Sequence, residues 1–444
     1  MALRALQTLG ETHVTKGLGR LTTGIMTGGQ GSYIQFDDGR KLLDFSTGIG
    51  VTSLGHCHPK VSKAAADQCM NIVHAQCSIA FHEPYLRLIE RLLPVMPHPS
   101  LDSFFFWNSG SEAVEAALKM SRIVTGRPNV ICMQGGYHGR TYGAMSVTRS
   151  KTIYFEGNGA LAPGAFSIPY PYWHHFGLSP NTSPAELANM SLYQLKLLLA
   201  QSTAPKDTAA IIIETVMGEG GYVPAPPEFL RGVREICDEH GIMLIIDEVQ
   251  CGFARTGKFW AVEESGVRPD ILLSAKGLAN GFPLSAIISR KEVTDQLKPG
   301  MMGGTYAGNA VSCAAAVAVV DAIKEEKILA NVNARSSELF AALKALAAEP
   351  DVAPHINEVR GKGLMVGVEF ASTTYPLPNA AQAIPKLASL VSAKCLEKGL
   401  VLLTTSIYEV VRFIPPLNIS EQEMKDGIKV FSDAVREVIQ EHSK

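Results

Sequence analysis

Four short apolar runs punctuate the middle of the chain. Asn129 to Met133, Ala209 to Ile213, Ile242 to Ile246 and Ile271 to Ser274 are almost wholly aliphatic, with no alternating polar face. Such runs read as strands buried on both sides. Between the second and third, Pro227 to His240 places Phe229, Leu230, Val233, Ile236 and Cys237 at helical spacing, and Gly241 ends the pattern. Strand, helix, strand predicts an α/β domain with a mostly parallel central sheet and helices on both faces.

The last third is patterned differently. Ile323 to Leu346, Ile384 to Lys398 and Ser420 to Glu441 read as helices; Gly363 to Phe370, Leu400 to Thr404 and Val410 to Ile414 read as strands. These belong to a smaller α+β domain. The expected division is an N-terminal segment, residues 1–48, packing with the small domain; a large domain, 49–315; and a small C-terminal domain, 316–444. Cys313 to Val320 is the most apolar later stretch. It is far too short to span a bilayer and is rich in alanine, so it reads as a closely packed helix.

Composition narrows the function classes. Hydrophobic residues make up 46% and charged residues 18%, which is globular and not disordered. Forty basic and 42 acidic residues leave a net charge of -2, which gives no general attraction to nucleic acid or an anionic membrane. Any anion recognition must therefore be local. The eight cysteines are scattered, with no C-x-x-C pair, which favours a reducing compartment. Met1 to Gly10 lacks the apolar core of a signal peptide, and Arg4 is the one basic residue before Lys16, a poor transit peptide. A cytoplasmic location is expected, with the mitochondrial matrix left open. No metal site is expected either: His56, His58, His138, His174 and His175 lack ligand spacing and read as core or surface residues.

The candidate chemistry lies at strand ends. Asp247 closes the run Ile242 to Ile246, and Lys276 follows the run Ile271 to Ser274. Open α/β sheets bind ligands at that edge. A lysine in an apolar niche has a lowered pKa and can act as a neutral nucleophile. An acid and a lysine at neighbouring strand ends suit a pyridine ring that carries an aldehyde; a buried ion pair is the simpler reading of the two residues alone. Asn108-Ser-Gly-Ser-Glu112 leads into a strong helix former, with Ser109 and Glu112 at capping-box spacing. Such a helix start is also an anion site that Gly110 leaves open, although an ordinary capped helix is the simpler reading of this segment alone. Gly135-Gly-Tyr-His-Gly-Arg140 reads as a tight turn. There Tyr137 could stack on a flat ring and Arg140 grip a carboxylate, or the pair could be a core tyrosine and a surface arginine.

Two motifs are decoys. Gly252-Phe-Ala-Arg-Thr-Gly-Lys258 has P-loop spacing, but Phe259 replaces the required hydroxyl residue. Gly361-Lys-Gly-Leu-Met-Val-Gly367 resembles a dinucleotide fingerprint but opens a strand, not a helix.

Taken together, the chain resembles the class III, or ω-amino acid, aminotransferases of fold type I, nearest those acting on 4-aminobutyrate. Asp44-Phe-Ser-Thr-Gly-Ile-Gly50, Gly55-His-Cys-His-Pro59, Asn108-Ser-Gly-Ser-Glu-Ala113, Gly136-Tyr-His-Gly-Arg-Thr141, Asp247-Glu-Val-Gln250, Arg255-Thr-Gly257, Ser274-Ala-Lys-Gly277, Gly304-Thr-Tyr-Ala-Gly308 and Arg412-Phe-Ile-Pro-Pro416 carry the resemblance in order. It implies pyridoxal 5′-phosphate as cofactor. It implies Lys276 as the lysine that holds it and shuttles the proton, and Asp247 as partner of the ring nitrogen. Val249 and Tyr137 would flank the ring, Gln250 would reach its phenolic oxygen, and Gly110 and Ser111 would cradle the phosphate. Thr305 resembles the hydroxyl lent to the phosphate by the second subunit, which implies a homodimer. Arg412 resembles the arginine that binds an α-carboxylate, and Glu219 the glutamate that masks it. Arg140 matches an arginine for the distal carboxylate, and Ile49 stands where ornithine-type enzymes carry tyrosine.

The implied reaction is ping-pong transamination from a 4-aminobutyrate-like donor to a keto acid such as 2-oxoglutarate or pyruvate. The family's usual Glu-Pro-x-Gln is replaced by Glu214-Thr-Val-Met217, which leaves room for a broad-specificity amine transaminase. A decarboxylase, aminomutase or racemase on the same cofactor, or a catalytically dead binding protein on the same fold, are the rival readings.

Overall fold

The computed structural model describes residues 2–375 and 383–442. The outer ends of the sequence-drawn divisions, at residues 1 and 444, lie outside the described residues.

A seven-stranded sheet forms the centre. In chain order its strands are β1 Ser103–Trp107, β2 Asn129–Met133, β3 Ala165–Ile168, β4 Thr208–Glu214, β5 Met243–Asp247, β6 Ile271–Ser274 and β7 Ser285–Ser289, arranged β1-β7-β6-β5-β4-β2-β3. The pairings from β6 through β5, β4 and β2 to β3 are parallel, and β7 runs antiparallel to both β6 and β1. Successive side chains on a strand point to opposite faces. Ile211, Ile213, Leu244, Ile246 and Leu272 accordingly enter one core, and Ala210, Ile212, Ile245, Ile271 and Leu273 enter the other. Both faces are covered. Helix α1, Gly110–Thr125, brings Ala113, Val114 and Ala117 to the second core, and α2, Pro227–His240, brings Phe229, Leu230 and Val233 to the first. Each fully buried aliphatic side chain contributes about 1.5–3 kcal/mol against exposure, which explains why runs with no polar face become central strands.

Three further sheets matter to the site. Met26–Gln30, Tyr33–Phe36 and Lys41–Asp44 form a meander that Leu400–Val401 extends in parallel. Ile356–Lys362, Met365–Phe370, Val410–Phe413 and Leu403–Thr405 form an antiparallel sheet. Val216–Met217 pairs with Val223–Pro224, so residues 218–222 are the loop of a small hairpin.

Two elements differ from the sequence reading. The helix expected over Ile323 to Leu346 is two helices, Ala310–Glu325 and Ile328–Ala347, broken where Lys327 takes a left-handed φ of 54°. The strand expected over Leu400 to Thr404 is split between two sheets, one pairing with Leu43 and the other with Arg412. Among the described residues no helix is long and apolar enough to cross a membrane.

Candidate active site

The register of the central sheet assembles the site. Asp247 pairs with Glu214 on β4 and with Leu273 on β6. The carboxyl ends of the three strands are therefore level, and Lys276 lies three residues beyond Leu273. At this edge a cavity of about 290 Å³ is lined by Lys276, Asp247, Gly110, Ser111, Tyr137, Val249, Gln250 and Glu219, among others. That is close to the lower end of about 300–1,000 Å³ for small-molecule sites.

Lys276 begins a short 3-10 turn with a φ of 42°, an uncommon conformation for a side chain with a Cβ. Burial pushes its ammonium below the ordinary lysine value. Glu219, Glu214 and Asp247 pull the other way, but burial, reinforced by Arg412, prevails. The neutral amine is thus favoured more than in a lysine exposed to water.

Asp247 is buried and doubly held: its Oδ1 accepts from the Val249 N–H at 3.0 Å, and its Oδ2 accepts from His138 Nδ1 at 2.7 Å. Burial disfavours the charged imidazole, but the Asp247 hydrogen bond and charge outweigh it and hold the His138 pKa above its ordinary value. The two hydrogen bonds fix the carboxylate at the strand end. His138, which the sequence suggested was an inert core or surface histidine, is therefore part of the site. Glu214, named in the sequence only as the start of the stretch that departs from Glu-Pro-x-Gln, was not expected to take part. Its carboxylate accepts from the backbone N–H groups of Tyr137 and Gly218, both at 2.9 Å. Burial, with Asp247 adding and His138 opposing, pushes its pKa up to about 7.

Beyond the strand ends, Arg412 Nη1 donates to Glu219 Oε1 within a buried ion pair. Burial disfavours the Glu219 carboxylate, yet Arg412 holds its pKa below the ordinary value. Tyr154 donates its hydroxyl to Glu219 Oε2 at 3.3 Å and meets Tyr137 edge to face at 5.1 Å. Burial also lowers the pKa of the neighbouring Lys151, which Glu219 opposes and Arg412 reinforces. Neither Tyr154 nor Lys151 carries a sequence motif that marks it.

Other expected residues lie outside the cavity. Arg140 is exposed, with its guanidinium 5.8 Å from the centre of the Tyr154 ring. Ile49 is exposed with a φ of 67°. Thr305 is exposed on the chain's own surface. Thr215 Oγ1 lies 3.0 Å from Cys251 Sγ, and Met217 is fully buried, so the departures from Glu-Pro-x-Gln are absorbed by packing behind the cavity. Both decoys behave as such. Phe253 and Ala254 in the P-loop-like segment have left-handed φ values, and Gly361 to Gly367 turns one strand into the next.

The donor set fits a phosphorylated pyridine aldehyde. Lys276 can engage the aldehyde, and Asp247 the ring nitrogen. The Oε1 end of Gln250 is buried with no hydrogen-bond partner. A Cβ on Gly110 would stand 3.0 Å from Val249 Cγ1, so glycine alone keeps that floor clear. The cap formed by Ser109, which accepts from the Glu112 N–H at 3.3 Å, leaves the amides of Gly110 and Ser111 at the helix start for an anion.

Comparison with known proteins agrees with this geometry. The family model for class-III aminotransferases matches residues 19–435. The chain is 37% identical over 426 residues to a 5-aminovalerate aminotransferase of Pseudomonas putida, covering 96% of each chain. It is 37% identical over 405 residues to the 4-aminobutyrate aminotransferase of Escherichia coli, covering 91% of each. Among solved structures, the ornithine aminotransferase of Toxoplasma gondii, described with partial occupancy of pyridoxal phosphate at its active site, superposes with a TM-score of 0.85 at 28% identity, covering 99% of this chain and 96% of that one. The chain belongs to the class III aminotransferases, fold type I enzymes that depend on pyridoxal phosphate.

Proposed function

We propose that this enzyme moves the amino group of an ω-amino acid resembling 4-aminobutyrate to a keto acid such as 2-oxoglutarate or pyruvate. The observation that carries this reading is the buried Glu219–Arg412 pair, whose Glu219 lines the cavity that Lys276 and Asp247 share. When bound, pyridoxal phosphate supplies an aldehyde that takes up the amine and a ring that draws electrons from the carbon bearing it. Gly110 and Ser111 would hold its phosphate, Val249 and Tyr137 would flank its ring, and Gln250 would meet its phenolic oxygen.

The chain's own groups perform the rest. Lys276 Nζ, whose charged form burial disfavours, takes the proton from the amine-bearing carbon and later returns one. Asp247 is held toward the ring's place by hydrogen bonds from His138 and the Val249 N–H. Glu219 masks Arg412 while the donor offers no α-carboxylate. When glutamate or 2-oxoglutarate enters, Glu219 swings away and the guanidinium grips the α-carboxylate. Arg140 binds the distal carboxylate, and Ile49, in place of the tyrosine of ornithine-type enzymes, disfavours ornithine.

Larger-scale assignments belong to the same proposal. The division at 1–48, 49–315 and 316–444 is supported by the sheet that joins Lys41–Asp44 to Leu400–Val401. A homodimer, in which Thr305 serves the partner's phosphate site, is supported by the exposed position of Thr305. A cytoplasmic location is supported by eight free cysteines.

The exposed position of Arg140 favours one second reading: a broad-specificity amine transaminase, which needs no distal carboxylate grip. A panel of 4-aminobutyrate, β-alanine, ornithine and 1-phenylethylamine, each with 2-oxoglutarate and pyruvate, separates the two. We expect 4-aminobutyrate or a homologue to be best. Preference for 1-phenylethylamine establishes the second reading, and preference for ornithine overturns the role of Ile49.

A further inference from the structure

The hairpin loop that carries Glu219 contains three glycines, Gly218, Gly220 and Gly221. Glycine imposes little conformational restraint, so such a loop left alone samples many positions. Here four successive carbonyls are held. Thr405 Oγ1 donates to Glu219 O at 3.2 Å and to Gly218 O at 3.5 Å. Ser406 Oγ donates to Gly220 O at 3.0 Å. Arg360 Nε donates to Gly221 O at 2.8 Å. All three donors come from the antiparallel C-terminal sheet or the turn that leaves it.

The register of that sheet explains the arrangement. Arg360 pairs with Gly367, and Gly367 pairs with Arg412, so the two arginines stand in one row on one face with a glycine between them. A Cβ on Gly367 would come within 3.3 Å of Gly221 O and of Tyr222 Cβ. The glycine gap lets the loop lie down on the sheet, with Arg412 reaching the Glu219 side chain and Arg360 reaching the backbone two residues later. Arg360 has carboxylate partners of its own, and its Nη2 alone is left without a hydrogen bond. It is buried, and its Nη1 is committed to Glu369 at 2.7 Å and Glu358 at 3.0 Å. Tyr172, His174 and Asn357 also hold Glu369.

We propose that Arg360, with Thr405 and Ser406, is a positioning device for substrate discrimination: it fixes the backbone of residues 218–221 so that the Glu219 side chain alone swings between masking and freeing Arg412. The inference rests on the reading of Glu219 and Arg412 as a switch. A fixed backbone returns the carboxylate to the arginine after each cycle. A loose one leaves Arg412 bare, which penalises a donor without an α-carboxylate and spares a donor that has one.

The test uses the holoenzyme and follows the cofactor's absorbance in the first half-reaction with 4-aminobutyrate or with glutamate. Both donors load the same cofactor form and differ in the α-carboxylate. Arg360→Lys keeps a cation for Glu369 but loses the Nε donor; Thr405→Val loses the hydroxyl at constant shape; Thr405→Ser restores it. The first two variants should lower the ratio of kcat/KM for 4-aminobutyrate to that for glutamate about threefold to tenfold, the scale of one lost hydrogen bond, and Thr405→Ser should recover it. Glu219→Gln is the control for the switch itself. If Glu219→Gln leaves the ratio unchanged, the switch reading fails and this inference falls with it. If Glu219→Gln moves the ratio while Arg360→Lys and Thr405→Val lower both donors equally or lower only the melting temperature, the switch stands and the positioning role is overturned.

Discussion

His138 Nδ1 lies 2.7 Å from Asp247 Oδ2, and both side chains are buried. The pair ties the turn after β2 to the end of β5, across 109 positions of sequence. Replacing His138 with phenylalanine fills the space and leaves the carboxylate one donor short. A hydrogen bond to a charged group contributes about 1.5–3 kcal/mol, so kcat/KM should fall about tenfold to a hundredfold. Steady-state kinetics at saturating cofactor measure this; wild-type values would remove His138 from the site.

The same pair has a pH signature. The His138 pKa is raised on folding, so its stabilising effect is complete below the ordinary histidine value of about 6.5 and is lost as pH rises through the folded value. The melting-temperature gap between the cofactor-free wild type and His138→Phe should therefore be widest near the acid side of neutrality and narrow as pH rises. A gap that widens toward alkaline pH contradicts the assignment.

Lys276 is held in a buried setting that disfavours its charge. Lys276→Ala should abolish turnover, a loss of at least about 10³-fold for a residue that moves the proton, together with the cofactor's lysine-linked visible absorbance. Because an awkwardly placed cation is removed, the cofactor-free variant should melt no lower than wild type. Melting curves beside the assay separate lost chemistry from lost folding.

Arg412→Lys tests the α-carboxylate grip. Lysine keeps the charge opposite Glu219 but loses the planar fork that binds a carboxylate through two N–H groups. KM for 2-oxoglutarate should rise about tenfold, while kcat/KM for 4-aminobutyrate changes less. Equal losses for both substrates would show that Arg412 does not distinguish them.

What the sequence made legible follows from the range of the interactions. β2, β6 and α2 have the bounds that pattern predicts, because burial on both faces or at helical spacing is written locally. The break at Lys327 is not written locally: Lys324 to Lys327 are all tolerated in a helix, and no Gly or Pro marks the left-handed residue that interrupts it. The run Leu400 to Thr404 likewise does not record that its halves pair with different sheets. Lys276, Asp247 and Gln250 were legible because strand ends and a motif announce them. His138, Glu214 and Tyr154 act through contacts with residues 65 to 109 positions away, and a single sequence holds no sign of such partners.

Gly110 offers a test of the cofactor floor that leaves every polar group in place. It starts α1, and a Cβ there would stand 3.0 Å from Val249 Cγ1 and 3.3 Å from Val249 Cγ2. Alanine favours a helix, so propensity alone predicts a stabler protein. Packing opposes this: Val249 must retreat by a few tenths of an ångström, and its N–H is the second donor to Asp247. Overpacking of this kind costs typically about 1–3 kcal/mol. Without cofactor the two effects act on the same helix and should nearly cancel, leaving the melting temperature close to wild type. With cofactor the displaced Val249 intrudes on the ring's place and loosens Asp247, so the dissociation constant for pyridoxal phosphate should rise about tenfold or more. Titration of the cofactor-free variant, followed by absorbance, reads this directly. Wild-type affinity would mean that the space beside Gly110 and Val249 is not where the ring lies.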